Sequence, residues 1–365
     1  MERLTVAPRA DWRARVEALG FDFHTIDGKT YWDETTCYRF SAEAVDLLED
    51  VTAELERLCL QAVGRVVAEG LYDRLGIPAI ARDLIAESWR RSERNVIGRF
   101  DLSWNGQDPP KLLEYNADTP TGLFEASVVQ WHWLEDTHAG ADQFNSLHEK
   151  LIEAWRRYGL EGAVHFTCVV DHAEDFATTT YLRDTCTQAG HETHFLTIDR
   201  IGWNGIGFVD LDQRPIVNLF KLYPWEWLLA DDFGLHVVAS RVRMIEPAWK
   251  MILSNKAILV LLWEMFEGHP NLLPASFEPT AIGGPCVEKP RLGREGEGVV
   301  IHRNGPRERH PDRIYQALAP LPEFAGNYPV IGSWVVASQP AGIGIREESG
   351  PVTTNLSRFV PHYFD

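Results

Sequence analysis

The spacing of apolar residues changes period along this chain, and that change restricts the folds open to it. Ala44, Leu48, Val51, Leu55, Leu58, Ala62 and Val66 recur every three to four positions, the repeat of one helix face, and Ser41 stands where an N-cap belongs. A second helix is expected near Ala81 to Ser92. From Val96 the period drops to two. Val96 to Ser103 and Lys111 to Asn116 alternate on either side of Trp104-Asn105-Gly106-Gln107-Asp108-Pro109-Pro110, whose Asn-Gly and Pro signals predict a hairpin loop. Helical spacing returns from Leu123 to about Tyr158. A strand follows at Gly162 to Val170, a helix near Glu174 to Gln188, and strands at His194 to Ile198 and Pro215 to Phe220. One strong helix, Asn255 to Phe266, precedes strand-like runs at Cys286 to Pro290, Gly298 to His302, Val330 to Val336, Gly342 to Ile345 and Val352 to Leu356. Interleaved in this way, the segments predict an α/β fold with α+β elements.

Composition narrows the function classes. The chain has 365 residues, enough for an extensive core, with no internal repeat, no low-complexity stretch and no linker long enough to separate autonomous domains. Thirty-five Lys and Arg against 53 Asp and Glu leave a net charge of −18, which disfavours nucleic acid and anionic membrane and points to small-molecule partners. A local basic cluster for an anion remains compatible with that total. Five cysteines, Cys37, Cys59, Cys168, Cys186 and Cys286, show no CxxC pair or tight spacing, so a disulfide framework or zinc ribbon is not expected. No signal peptide and no membrane-length apolar run is evident, and the expected compartment is the reduced cytoplasm.

Several familiar motifs fail on spacing. Gly28-Lys29-Thr30 lacks the first glycine of a phosphate loop, because position 23 is Phe23. Gly342-x-Gly344 and Gly205-x-Gly207 run on to Glu347 and Asp210 where a dinucleotide fingerprint needs glycine. His191 and His194 are three apart rather than the four of a zinc-protease helix.

Three segments survive. In the expected hairpin, Arg99 and Asp101 share one face, opposite Phe100 and Leu102, while Glu114, Asn116 and, by extension, Asp118 share a face of the return strand. Paired strands would bring an arginine and hard oxygen donors together, a set suited to Mg²⁺-bound phosphates with Arg99 steadying a transferring phosphoryl group. The competing reading is an edge hairpin with a polar, solvated face. The second segment, Glu288 to Ile301, is a strand ending near Lys289, a loop with Gly293, Arg294, Gly296 and Gly298, and an apolar strand. It reads either as a glycine-rich lid over nucleotide phosphates or as a solvated turn. The third, Ser254-Asn255-Lys256, reads either as an ordinary capped helix start or as one whose lysine faces a phosphate, and Arg346 reads either as a surface arginine near a turn or as a further phosphate contact on a terminal strand beside the lid; taken alone, each favours the plainer reading.

Arg99-x-Asp101, Glu114-Tyr115-Asn116-Ala117-Asp118-Thr119, Trp225-Glu226, Ser254-Asn255-Lys256-Ala257, Lys289-Pro290 with Gly293-Arg294-x-Gly296, and Gly342-Ile343-Gly344-Ile345-Arg346 occur in that order. Each is short, but their combination resembles the synthetase part of the glutathionylspermidine synthase family and its stand-alone relatives over nearly the whole chain. The resemblance implies an ATP-grasp fold of the glutathione-synthetase type with a glycine-rich lid at roughly 255–305. It further implies one ligase unit over 1–365, with the pre-ATP-grasp portion interwoven and no amidase domain. The implied cofactors are ATP and Mg²⁺, and the implied reaction activates a peptide carboxylate as an acyl phosphate for attack by an amine.

Carried onto this sequence, the resemblance makes Asp101, Glu114 and Asn116 metal ligands and Arg99 the stabiliser of the transition state. Lys256, Lys289 and Arg346 would contact ATP, Arg294 would sit in the lid loop, Thr119 and Thr121 would contact the peptide, and Glu226 would belong to an acidic substrate pocket. Departures concern the substrates: threonines replace the family's two serines, and Gly122 stands where the synthase has a cysteine. Two other readings stay open. One is a nucleotide-binding or regulatory protein that does not ligate, against which the intact Arg99 argues; the other is ligation of a different acid and amine.

Overall fold

In the computed structural model the described residues are 1–365 apart from 295, 305–307 and 351–356. The hairpin forms at the expected boundaries, Ile97–Ser103 and Lys111–Asn116, paired antiparallel with Arg99 opposite Asn116 and Asp101 opposite Glu114. Its alternation also holds: Phe100 is fully buried and stacks on Tyr115 at 3.8 Å between ring centroids, behind the charged face. The strand Ile97–Ser103 is buried along its whole length, because it sits inside a five-stranded antiparallel sheet rather than at an edge. In order, that sheet runs Arg358–Val360, Gln339–Glu348, Tyr328–Val336, Ile97–Ser103, Lys111–Asn116. The reading of a solvated edge face for Arg99 and Asp101 is thereby overturned.

The long helix is Ala42–Glu69, capped by Ser41, whose side chain accepts from Ala44 N at 3.3 Å. Its apolar stripe lies on the central sheet and on the helix Ile258–Met265. Two polar links fix that docking: Thr52 Oγ1 meets Ser333 Oγ at 2.6 Å, and the Tyr115 hydroxyl donates to Glu56 at 2.8 Å. The helix Ala79–Arg90 falls two residues ahead of its expected place.

A parallel sheet, ordered Arg243–Ile245, Asn218–Leu222, Val164–Cys168, Thr193–Phe195, carries the crossover helix Ala173–Gln188. A third sheet, antiparallel, is ordered Ala275–Ser276, Arg313–Ala317, Cys286–Pro290, Val300–His302. The strand Thr36–Phe40 pairs with both Glu2–Thr5 and His362–Phe364, so the two ends of the chain meet on one strand.

The sequence expectations needed correction at several places. The helical stretch from Leu123 to Tyr158 is broken into a π-helical turn Glu125–Val129, a helix Gln130–Thr137 and a helix Leu147–Tyr158. The interruption contains Gly140 at φ 92°, a left-handed conformation that ends helices. The strand expected at 194–198 is Thr193–Phe195, with Ile198 already in a 3₁₀ turn, and the one expected at 215–220 is Asn218–Leu222. Within the 255–305 span, Ile258–Met265 is a helix buried through Leu262, and the strands Cys286–Pro290 and Val300–His302 flank the loop residues described at 291–294 and 296–299. The strand expected at Val352 to Leu356 lies outside the described residues. All five cysteines are buried, and among the described residues no helix is long and apolar enough to cross a membrane.

Candidate active site

The charged face of the hairpin looks across to the sheet that contains Cys286–Pro290, and the space between them is the candidate site. Arg99 grips Asp101 with two bonds, Nε to Oδ1 at 2.7 Å and Nη2 to Oδ2 at 3.1 Å, and its Nη1 donates to Thr121 O at 2.5 Å. The guanidinium carbon lies 5.7 Å from the Trp334 ring centroid. On the neighbouring strand, Gly332 makes room for the arginine stem, since a Cβ there would come within 2.9 Å of Arg99 Cδ. A planar, doubly bonded guanidinium held this way has almost no rotational freedom left.

Asp101, Glu114 and Asn116 converge as the strand register requires. Asn116 Nδ2 lies 3.3 Å from Asp101 Oδ2 and 3.2 Å from Glu114 Oε1. The two ends of an amide interchange by a half-turn, so the same place can present an oxygen. Two carboxylates and an amide oxygen, completed by phosphate oxygens, suit Mg²⁺ and would not make an all-protein cage for a softer metal. No group of three or more His, Cys, Asp or Glu among the described residues is arranged to hold a metal.

Positive charge arrives from distant segments. Lys289 Nζ donates to Leu113 O at 2.7 Å and to Gln316 Oε1 at 2.8 Å. Lys256 Nζ donates to Gly293 O at 2.8 Å, tying the glycine-rich loop down, and lies 3.4 Å from Glu114. Lys256 lies in the turn before the helix Ile258–Met265, where Asn255 Oδ1 accepts from Ala257 N at 2.9 Å; the helix itself begins after Ala257 without a side-chain cap, so the capped start expected at Ser254-Asn255-Lys256 is not formed. Arg346 Nη2 donates to Asp101 Oδ2 at 3.1 Å. Burial works against the charge of Glu114, yet Lys256 and Lys289 more than offset it and hold the carboxyl down at about 2. Burial pushes the Lys289 ammonium down to about 8, with Glu114 opposing and Lys256 reinforcing the shift.

Two cavities meet here. A cleft of about 700 Å³, open to solvent, has an apolar wall from Val287, Ile301, Leu318 and Leu321 and a polar end at Lys289, Gln316, Asp101 and Glu114. A second, of about 470 Å³, is lined by Arg99, Glu114, Asn116, Thr119, Thr121, Arg294 and Arg346. Glu114 and Gly296 belong to both. Arg294 also pairs with Asp175 at 3.1 Å, which joins the loop to the helix Ala173–Gln188.

Not every expected residue is drawn in. Glu226, in the helix Trp225–Ala230, lines neither cavity; burial raises its carboxyl, with Asp118 adding to the effect and Lys221 and Lys256 opposing it. Asp118 does not continue the face of Glu114 and Asn116. It turns away to accept from Lys221 Nζ at 2.7 Å and Trp225 N at 2.9 Å, because the strand ends at Asn116. Sequence reasoning missed Gln316, the partner of Lys289, and a buried group of Tyr31, Glu125 and Glu174 beside Gly122. Glu125 did leave a signal, a lone carboxylate within Gly122-Leu123-Phe124-Glu125-Ala126-Ser127-Val128-Val129, since a charge in an apolar run is rarely accidental.

Comparison with known proteins identifies the family. The family model described as glutathionylspermidine synthase preATP-grasp matches residues 3–365. A protein of Haemophilus influenzae that carries the provisional name acid–amine ligase is 39% identical, with 100% of both chains aligned. The trypanothione synthetase of Crithidia fasciculata is 29% identical, and the alignment takes in 93% of this chain but 58% of that protein. Among solved structures, a glutathione synthetase-like effector from Globodera pallida superposes over 97% of this chain and 95% of its own with a TM-score of 0.58 at 13% identity, a likeness of fold. The mixed α/β architecture is thus of the ATP-grasp, glutathione-synthetase type, and the chain belongs to the glutathionylspermidine synthase family of acid–amine ligases.

Proposed function

We propose that this ligase uses ATP and Mg²⁺ to join the carboxylate of a glutathione-like peptide to a polyamine or other amine through an acyl phosphate. The observation that carries the reading is the meeting of two cavities at Glu114, one walled for a flat apolar ring and ending at Lys289, the other lined by Arg99, Thr119 and Thr121. A nucleotide in the first would direct its terminal phosphate toward a carboxylate in the second, and the protein's task is to hold the two in line.

Lys289, Lys256 and Arg346 would bind the phosphates, and the loop at 291–299 would close over them as a lid that excludes water from the activated acid. Asp101, Glu114 and Asn116 would hold Mg²⁺, which neutralises phosphate charge during transfer. Arg99, locked on Asp101, would face the charge that builds on the transferring phosphoryl group. Thr119 and Thr121 would bind the peptide beside it, and Arg294 would contact the same ligand from the lid. Glu226 would belong to a more distant part of the substrate path, near Asp118 and Lys221. A path past Glu226 and Asp118 would suit a cationic acceptor, in keeping with a net charge of −18. ADP release with glutathione and spermidine, each omitted in turn, tests the reading; ATP binding without turnover across a panel of amines would refute it.

A further inference from the structure

Beyond Gly122 from Arg99 lie a buried acid, Glu125, and a half-buried one, Glu174, that the chemistry above leaves unused. Glu125, on the π-helical turn Glu125–Val129, is 1% exposed, and its Oε1 accepts from the Tyr31 hydroxyl at 2.7 Å. The same hydroxyl lies 3.2 Å from Glu174 Oε1, in the first turn of the helix Ala173–Gln188. One phenol proton cannot satisfy two carboxylates at once, so the trio has a place for a further proton. Glu174 comes close to the arginine of the site: a Cβ built on Gly122 would sit 3.8 Å from Glu174 Oε1 and 4.0 Å from Arg99 Nη1. Glu125 stands one hydrogen-bonded residue further back, behind the Tyr31 hydroxyl.

Resting on the ligase reading, we propose that Glu125 holds the proton which the attacking ammonium gives up, received through Glu174 and the Tyr31 hydroxyl. An ammonium N–H seated against Glu174 breaks as a Glu174 O–H forms. That proton then moves to the phenol oxygen while the phenol's own proton passes to Glu125, leaving Tyr31 unchanged. The freed lone pair forms the C–N bond to the acyl carbon as the C–O bond to phosphate breaks, and phosphate departs with that electron pair and the second nitrogen proton.

The charges around the trio suit the task. Burial, and next the Glu174 charge, push the Glu125 carboxyl up to about 8, with Tyr31 and Arg346 drawing it back. The Tyr31 hydroxyl is raised well above its ordinary value, chiefly by burial and then by Glu125 and Glu174, so it relays a proton without ionising. Arg99 and Asp175 are the other charged groups that act on Glu174 or are acted on by it. A proton holder near neutrality is in the range where general bases are most effective. Glu125 is a positioning residue in this account, since it touches no substrate.

The test compares spermidine with hydroxylamine, which is already neutral at pH 7.5 and surrenders no proton before attack. Glu125→Gln keeps an oxygen for Tyr31 to donate to, and Tyr31→Phe breaks the relay with Glu125 intact. Each is expected to lower spermidine turnover by about 10²-fold while hydroxamate formation from the same acid and ATP stays within about threefold of the wild-type rate. Equal losses with both nucleophiles, or no loss with either, would overturn the assignment. Absence of hydroxamate from the wild-type protein would instead refute the ligase reading on which it rests.

Discussion

Arg346 donates to Asp101 Oδ2 at 3.1 Å, across 245 positions of sequence, and that oxygen also receives Arg99 Nη2 at 3.1 Å. One carboxylate therefore aligns two guanidiniums from different strands, and their roles should be separable but not independent. Arg99→Lys is expected to cut turnover by about 10²-fold with nucleotide affinity nearly kept, because it keeps the charge but removes the planar guanidinium that two bonds to Asp101 hold in place for the transition state. Arg346→Ala is expected to weaken ATP binding about tenfold by removing a charge-assisted phosphate contact. The double variant should depart from additivity by at least 0.5 kcal/mol or so, since both residues share Asp101. Steady-state kinetics with a nucleotide-binding titration checks all three.

Lys289 supplies a pH dependence. Its charge is present below about 8 and lost above, so ATP affinity should fall as pH rises through that value, whereas an ordinary lysine would hold its charge two units higher. The stability contribution has the opposite slope: a depressed ammonium binds fewer protons folded than unfolded, so stability rises with pH between about 8 and the ordinary lysine value of 10.5. Lys289→Arg, whose charge does not titrate here, should flatten the affinity profile. Nucleotide titrations from pH 6.5 to 9.5 would reveal either shape.

Gly332→Ala tests the preorganisation of Arg99 without touching its charge. The added methyl would press to 2.9 Å from Arg99 Cδ, and the backbone there has no positive φ to strain. Turnover is expected to drop by about 10- to 100-fold through displacement of the guanidinium, with the sheet intact by circular dichroism.

A structural prediction concerns Lys250 and Glu246, an ion pair at 2.6 Å with both side chains fully buried. Glu246 also accepts from Val96 N and Ile97 N, pinning the start of the strand that carries Arg99. Lys250→Met would leave that carboxylate buried without its cation, at a cost of about 3–5 kcal/mol. Urea unfolding measures the loss.

These outcomes bear on what a sequence shows. The Arg99 hairpin was legible because a two-residue period flanks an Asn-Gly and Pro loop, and period two assigns faces without knowing the partner strand. Cys286–Pro290 was legible for the same reason. What could not be read is which strand lies beside which. Tyr328–Val336 covers Ile97–Ser103 and buries Arg99, and no local pattern encodes a pairing that distant. The Tyr31, Glu125 and Glu174 trio was missed for another reason: Glu125 alone stands out, as a carboxylate in an apolar run, while its two partners come from separate elements that only packing makes neighbours. Asp118 was misread because a face extrapolated past the end of a strand is no longer a face.

The most direct test of the account follows oxygen. Glutathione labelled with ¹⁸O in its glycyl carboxylate, incubated with ATP, Mg²⁺ and spermidine, should give ADP, amide and inorganic phosphate carrying one labelled oxygen per turnover. Spermidine-dependent amide formation with unlabelled phosphate, or label found in AMP, would contradict activation as an acyl phosphate.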